Sequence, residues 1–254
     1  MAPIRVGFIG MQIDRNWSAV AHVPALRAVP CYEIRAVSMT RQESTDAAAA
    51  HYCIPHAFAG HEALITSPEV DLVVVTTKVP AHLELVTAAL EAGKHVYCEW
   101  PLGNGLAEAR QMAELARTQG VRTVIGLQAR VSPTVSYARD LVRDGFVGEV
   151  LSSSLIGQSM SWGERIEAPN AYLADRRNGA TMLSISIGHA LNAVCSVLGE
   201  MRQVAAILAN GRTGHAKTLL QQNQRFTPAR RVHLITHVCP SCIGLPRFHY
   251  RPAA

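Results

Sequence analysis

Short apolar runs alternating with helix-length stretches fill the first half of this 254-residue chain and leave it few folds to adopt. Residues 4–9 (IRVGFI) end at Gly10, residues 33–39 form a second run, and residues 71–76 (DLVVVT) a third. Residues 95–98 and 121–126 add two more. Runs apolar at successive positions, such as Leu72 to Val75, suit strands buried on both faces of a parallel sheet. Between them, residues 83–90 repeat apolar side chains at helical spacing and stop at Gly93, where a residue without Cβ readily takes the left-handed conformation that ends a helix. Residues 106–116 form an amphipathic helix with Glu108, Arg110 and Glu114 outward, and residues 45–52 a further helical stretch that Ser44 or Thr45 could cap. Strand and helix in this rhythm predict an α/β fold, a doubly wound parallel sheet.

After Pro133 the rhythm changes. Residues 135–144 read as a helix closed by Gly145, and residues 149–158 as a longer serine-rich strand of alternating character. A polar, irregular stretch (162–178) precedes a helical pattern over 184–197, ended by Gly199, and a strand over 203–209. This predicts a second, α+β domain on a mostly antiparallel sheet. The domain boundaries are set at 1–125, 126–212 and 213–254, the break lying near Gly126. The last segment keeps no period, and we expect an aberrant C-terminus there and a second domain cut short.

Composition narrows the function classes. With 48% hydrophobic and 17% charged residues the chain is globular. Its longest apolar runs are strand-sized, far short of a membrane span, and the strand at Ile4 leaves no room for a signal peptide. Six scattered cysteines form no secreted disulfide framework, so a reducing cytoplasm is expected. Cys239 and Cys242, with His233 and His237 upstream, are too loosely spaced for a zinc site, and no metal is expected. The net charge of +5 hides an asymmetry: all 19 acids lie at or before Glu200, set against 16 basic residues there, while eight basic and no acidic residues follow. Such a distribution is not the basic stripe of a nucleic-acid reader.

Gly7 and Gly10, at the end of the first run, could bring a pyrophosphate close to backbone N–H groups. The usual glycine-rich continuation is absent, however. Met11, Gln12, Ile13, Asp14, Arg15, Asn16 and Trp17 follow instead. The second run ends Ser38-Met39-Thr40-Arg41 without a carboxylate. An acid there would hold a ribose 2′-hydroxyl, whereas an arginine accommodates a 2′-phosphate, so the cofactor is NADP or NAD with the balance towards NADP.

Directly after the fourth run stands Glu99-Trp100-Pro101, followed later by Gly126-Leu127-Gln128-Ala129-Arg130 with Pro133, and by Asn178-Gly179 ahead of Gly188-His189. In this order the motifs resemble the Gfo/Idh/MocA sugar-oxidoreductase superfamily, and within it the branch similar to the yeast galactose-regulon repressor. The resemblance runs from Val6 to about Ala209 and includes Trp17 in the first loop. It implies an N-terminal Rossmann domain and a hydride moved between a nicotinamide and a sugar or polyol.

By that resemblance His189 is the catalytic candidate. Gly7, Gly10, Met11, Trp17, Ser38, Arg41, Thr76, Lys78, His82, Glu99, Trp100 and Gln128 are the cofactor-binding candidates, and Arg130 lies at the interdomain seam. Beside the glycine-poor first loop, two departures stand out. The family's lysine is Trp100, whose indole can donate a hydrogen bond but not transfer a proton. Lys78 is the nearby amine that could stand in for it, or a loop lysine. The acids flanking the family histidine are Ile185 and Asn192. The competing function is therefore a catalytically silent dinucleotide-binding regulator. Relatives form homodimers through the second sheet, an assembly that a shortened sheet would not support.

Overall fold

The computed structural model describes residues 2–14, 16–157 and 168–206. Six strands, β1 (Ile4–Ile9), β2 (Tyr32–Met39), β3 (His56–Ala59), β4 (Leu72–Val75), β5 (His95–Glu99) and β6 (Thr123–Gly126), form one sheet in the order β3-β2-β1-β4-β5-β6. Every pairing is parallel. Helices α1 (Val23–Ala28), α2 (Gln42–His51), α3 (His61–Thr66), α4 (His82–Glu91) and α5 (Leu106–Gln119) connect them. The strand order reverses between β1 and β4, and in a doubly wound sheet the crevice at that reversal, beyond the strands' C-terminal ends, is where ligands bind.

The two faces of the sheet bury separate cores. Val73 and Val75 point to one side, with Leu64, Leu85, Leu90 and Met112. Val74 points to the other, with Val6, Phe8, Val37 and Tyr52. The all-valine run of β4 thus still obeys the two-residue alternation of a strand, each face meeting its own helices. Gly7, a cofactor candidate from sequence, is closely packed: a Cβ there would lie 2.9 Å from Leu64 Cδ2 and 3.0 Å from Val70. It lets α3 approach β1 and lies three residues before the strand-end turn.

Helix ends follow local chemistry. α5 stops at Gly120 in the left-handed conformation (φ 64°), and α4 at Ala92 before Gly93 (φ 69°). Lys94 then reaches back to donate to the carbonyls of Ser67 (2.8 Å) and Val70 (2.7 Å). β3 and α3 were not expected from the sequence. The four residues of β3 pair with β2 alone, at the sheet edge, and carry no apolar run to betray them.

The chain divides into two compact units, one of residues 1–127 and 169–185, the other of residues 128–168 and 186–254. The segment Pro169–Ile185, placed by sequence in the second domain, packs with the first unit. Among the described residues the second unit holds α6 (Pro133–Arg143) and α7 (Gly188–Leu198). The strands expected over 149–158 and 203–209 do not form over residues 149–157 and 203–206, which pair with no other strand. The expected aberrant tail from 213 and the Cys239/Cys242 pair lie outside the described residues.

At the sheet's N-terminal edge, Arg5 on β1 grips Asp71 before β4 through Nε (2.9 Å), Nη2 (2.6 Å) and its backbone N–H (2.9 Å). The guanidinium holds the Asp71 carboxyl well below the usual range, to about 2. A depressed carboxylate pKa contributes stability above its unfolded value that is lost as pH falls through the folded one. Both side chains are 37% exposed, so solvent screening limits the pair to about 0.5–1 kcal/mol. Chemical unfolding of Asp71→Asn is expected to show that deficit at neutral pH, narrowing to nothing as pH falls from about 4 to 2.

Candidate active site at the C-terminal edge of the sheet

Gly10 closes β1 with φ +97°, and a Cβ there would lie 2.7 Å from Thr77 Cγ2 and 3.2 Å from the backbone carbon of Thr76. The turn therefore needs glycine twice over, for its dihedral and for the closeness of β4. Its N–H donates to the Ser38 carbonyl at the end of β2 (3.0 Å). On either side of this turn the hydroxyls of Ser38 and Thr77 are buried and have no hydrogen-bond partner among the described residues. Buried polar atoms are seldom left unpaired. Orphan hydroxyls flanking a glycine turn at the sheet's switch point fit a polar ligand laid across it, and a dinucleotide supplies suitable oxygens.

The loop after Gly10 lacks further glycines because Asn16 organises it. The Asn16 Nδ2 donates to the Gly10 carbonyl (2.8 Å), while its Oδ1 accepts from the Ala19 N–H (3.3 Å) and from the Ser18 hydroxyl. One side chain thus ties the strand end to the helical turn Ser18–His22 that leads into α1. Met11, expected at the cofactor, has its side chain wholly buried in the core beneath β1. Trp17 stands half exposed on the loop. Beyond β2, the Thr45 hydroxyl accepts from the Met39 N–H (3.1 Å) and donates to the Arg41 carbonyl (3.1 Å). The Arg41 bend is therefore held, while its side chain lies exposed, outside the ion pairs found among the described residues.

β4 and β5 end in loops joined by His82. Its imidazole is 1% exposed, with Nδ1 2.9 Å from the Pro101 carbonyl and Nε2 3.1 Å from the Thr77 carbonyl. The Cys98 sulfur sits 3.4 Å from Nδ1, and burial pushes that thiol's pKa far up, which makes it inert. His82 is thus buried between two loops, each ring nitrogen facing a backbone carbonyl. The Thr76 N–H and hydroxyl are likewise spent on the Ile9 carbonyl, at 3.0 and 3.3 Å.

The triplet ending β5 has each member engaged. The peptide between Trp100 and Pro101 is cis. The Trp100 indole N–H donates to the Ser184 carbonyl (2.6 Å), so it is not available to a substrate. Nearby contacts dock the same Pro169–Ile185 segment. Lys78 lies 4.6 Å over the Tyr172 ring, a cation–π contact, and Asn104 Nδ2 donates to the Arg177 carbonyl (2.6 Å). Glu99 pairs with His22.

The edge of the sheet therefore brings together Gly10, Ser38, Thr76, Lys78, Glu99 and Trp100. Asn16, His22, Tyr172 and Ser184 join them without having been singled out, since nothing local in the sequence marks a partner 77 or 84 residues away. In the second unit, Gln128 opens a 3-10 turn (Gln128–Val131) and His189 is the second residue of α7. Three residues on, Asn192 has its Oδ1 buried without a partner. No group of three or more His, Cys, Asp or Glu poised to hold a metal occurs among the described residues, and no helix among them is long and apolar enough to cross a membrane.

His82→Leu removes the single N–H that a neutral imidazole offers to the Pro101 and Thr77 carbonyls, and thermal unfolding is expected to show a loss of about 1–3 kcal/mol. Saturating dinucleotide should not restore the lost protein–protein bonds, so the deficit persists with ligand present.

Residues 4–127 match the oxidoreductase family with an NAD-binding Rossmann fold, Gfo/Idh/MocA, and residues 133–233 match the C-terminal domain of Gal80p. The dehydrogenase aclE of Aspergillus oryzae is 37% identical over 80% of this chain and 57% of its own length. The galactose/lactose metabolism regulatory protein GAL80 of Saccharomyces cerevisiae is 29% identical over 75% of this chain and 46% of its own. Among solved structures, a super-repressor mutant of S. cerevisiae Gal80p superposes with a TM-score of 0.71 at 28% identity, covering 76% of this chain and 53% of that one. The chain thus spans about half the length of the relatives it matches. Matched in order over both halves, the chain is thus similar to the Gfo/Idh/MocA family of NAD-binding oxidoreductases over residues 4–127 and to its Gal80-like branch over residues 133–233.

Proposed function

We propose that this protein binds NADP in preference to NAD and moves a hydride between its nicotinamide and a hydroxyl-bearing carbon of a sugar or polyol. The observation that carries the reading is the Gly10 turn, too close to β4 for any side chain and flanked by the unpaired hydroxyls of Ser38 and Thr77. The nicotinamide supplies the hydride chemistry when bound. The chain's own groups do the rest: the Asn16-braced loop seats the phosphates, Glu99 offers a carboxylate at the end of β5, Gln128 positions the reactants, and His189 exchanges the hydroxyl proton. A neutral imidazole suits that exchange near physiological pH. Cys31, Cys53, Cys98 and Cys195 are all free thiols, which supports a reducing, cytoplasmic setting. We assign no nucleic-acid contact.

The preference for NADP rests on Arg41, held at the β2 end with its side chain exposed. Titration calorimetry should find saturable binding of NADPH, and Arg41→Ala should weaken it about tenfold while changing NADH by less than about twofold. Failure of the wild type to bind either dinucleotide defeats the reading.

A second reading, a dinucleotide-binding regulator without turnover, is favoured by one observation. The residue in the place of the family's amine is an indole whose only donor is consumed by Ser184. Following nicotinamide absorbance over a panel of sugars and polyols separates the two. Turnover by the wild type establishes the enzyme. Binding without turnover, with activity appearing only in Trp100→Lys, establishes the regulator.

A further inference from the structure

His22 takes no part in the reading above, yet it is the group that controls the carboxylate at the end of β5. It is the last residue of the helical turn that Asn16 begins. From there its ring crosses the sheet face, lying 6.4 Å from Phe8 on β1 and edge-on to Tyr97 on β5 at 5.0 Å and 73°. Nε2 meets Glu99 Oε1. Both side chains are largely shielded, at 15% and 17% exposure, so the contact is less screened than a surface pair.

The other carboxylate oxygen has its place prepared as well. A Cβ on Gly126 would stand 2.8 Å from Glu99 Oε2 and 2.9 Å from the Tyr97 hydroxyl oxygen. A side chain at the end of β6 would make the carboxylate shift. Around it the other polar groups of the triplet and loop are committed: Trp100 N–H to Ser184, Lys78 to the Tyr172 ring, His82 to two carbonyls. A glutamate with three rotatable bonds is a poor directional acceptor unless something holds it, and the His22 imidazole, itself packed against Phe8 and Tyr97, does so here.

We propose that His22 is a positioning residue. By holding Glu99 Oε1 over β5, it presents Oε2 above Gly126 as a fixed acceptor for the nicotinamide end of the dinucleotide. The turn that braces the phosphate-side loop at Asn16 thereby also sets the nicotinamide-side carboxylate. The inference rests on the dinucleotide reading, because it takes the C-terminal edge of the sheet as the ligand's seat.

The test compares two ligands by titration calorimetry on the full chain: NADPH, and 2′-phospho-ADP-ribose, which lacks the nicotinamide. His22→Phe keeps the ring's bulk and removes the donor. It should weaken NADPH about tenfold and leave the fragment within about twofold. His22→Gln, with a donor near the position of Nε2, should recover most of the loss. Gly126→Ala, which displaces the carboxylate without changing any charge, should reproduce the pattern of His22→Phe. In the double variant with Glu99→Gln, removing His22 should cost nothing more, since residues acting through one another are not additive. Equal losses for both ligands would assign His22 a merely structural role and overturn the proposal, as would unchanged NADPH binding or additive losses in the double variant. A wild type that binds neither ligand overturns the dinucleotide reading and this inference with it. A wild type that binds both, with variants indifferent, overturns this inference alone.

Discussion

The buried imidazole of His82 is the contact on which the arrangement of the sheet's C-terminal edge depends. Parallel strands present their ends side by side but leave the following loops free to diverge, and function needs those loops in register. His82 joins the Thr77 and Pro101 carbonyls across β4 and β5, so the loop carrying Lys78 and the loop carrying Trp100 are set by one ring. A neutral imidazole has a single N–H to give to two acceptors, and the adjacent Cys98 thiol, protonated by its burial, completes a closed polar pocket. Glu99, Trp100 and Thr77 are therefore positioned by buried chemistry that never meets a ligand.

Much of the first unit was legible in the sequence because its strands are buried on both faces. Such strands need continuous apolar residues, and Val6–Ile9 and Leu72–Val75 have them. β3 and α3 were illegible for the converse reason. An edge strand of four half-exposed residues needs no apolar run and leaves no period. Over 149–157 and 203–206 alternation alone suggested strands, but alternation is only a capacity to pair, and among the described residues no partner strand meets it. The site divides along the same line. Gly10 was readable because backbone geometry demands its residue type. His22, Tyr172 and Ser184 were not, because what matters about them is a partner distant in sequence, and a ring or a backbone carbonyl carries no local mark of it.

Trp100 takes on a different meaning beside these contacts. A lysine there would present a mobile cation to the cleft. The indole instead spends its donor on the chain itself, at the backbone two residues after Met182. With Ile185 one residue further on, neither position carries a charge.

The docking of Pro169–Ile185 with the first unit has a consequence for how this protein is made. The chain crosses from one unit to the other three times, after residues 127, 168 and 185. No single cut yields a complete first unit. A fragment ending at Leu127 keeps the six strands but leaves the Trp100 indole and the Lys78 amine without their partners. During synthesis the nucleotide sheet can pair as soon as β6 emerges, yet its C-terminal edge stays unfinished until more than forty further residues have been added. Such long-range closure is slow relative to local helix formation. The candidate site is thereby the last part of the first unit to assemble, completed only after residues 128–168 of the second unit have been translated.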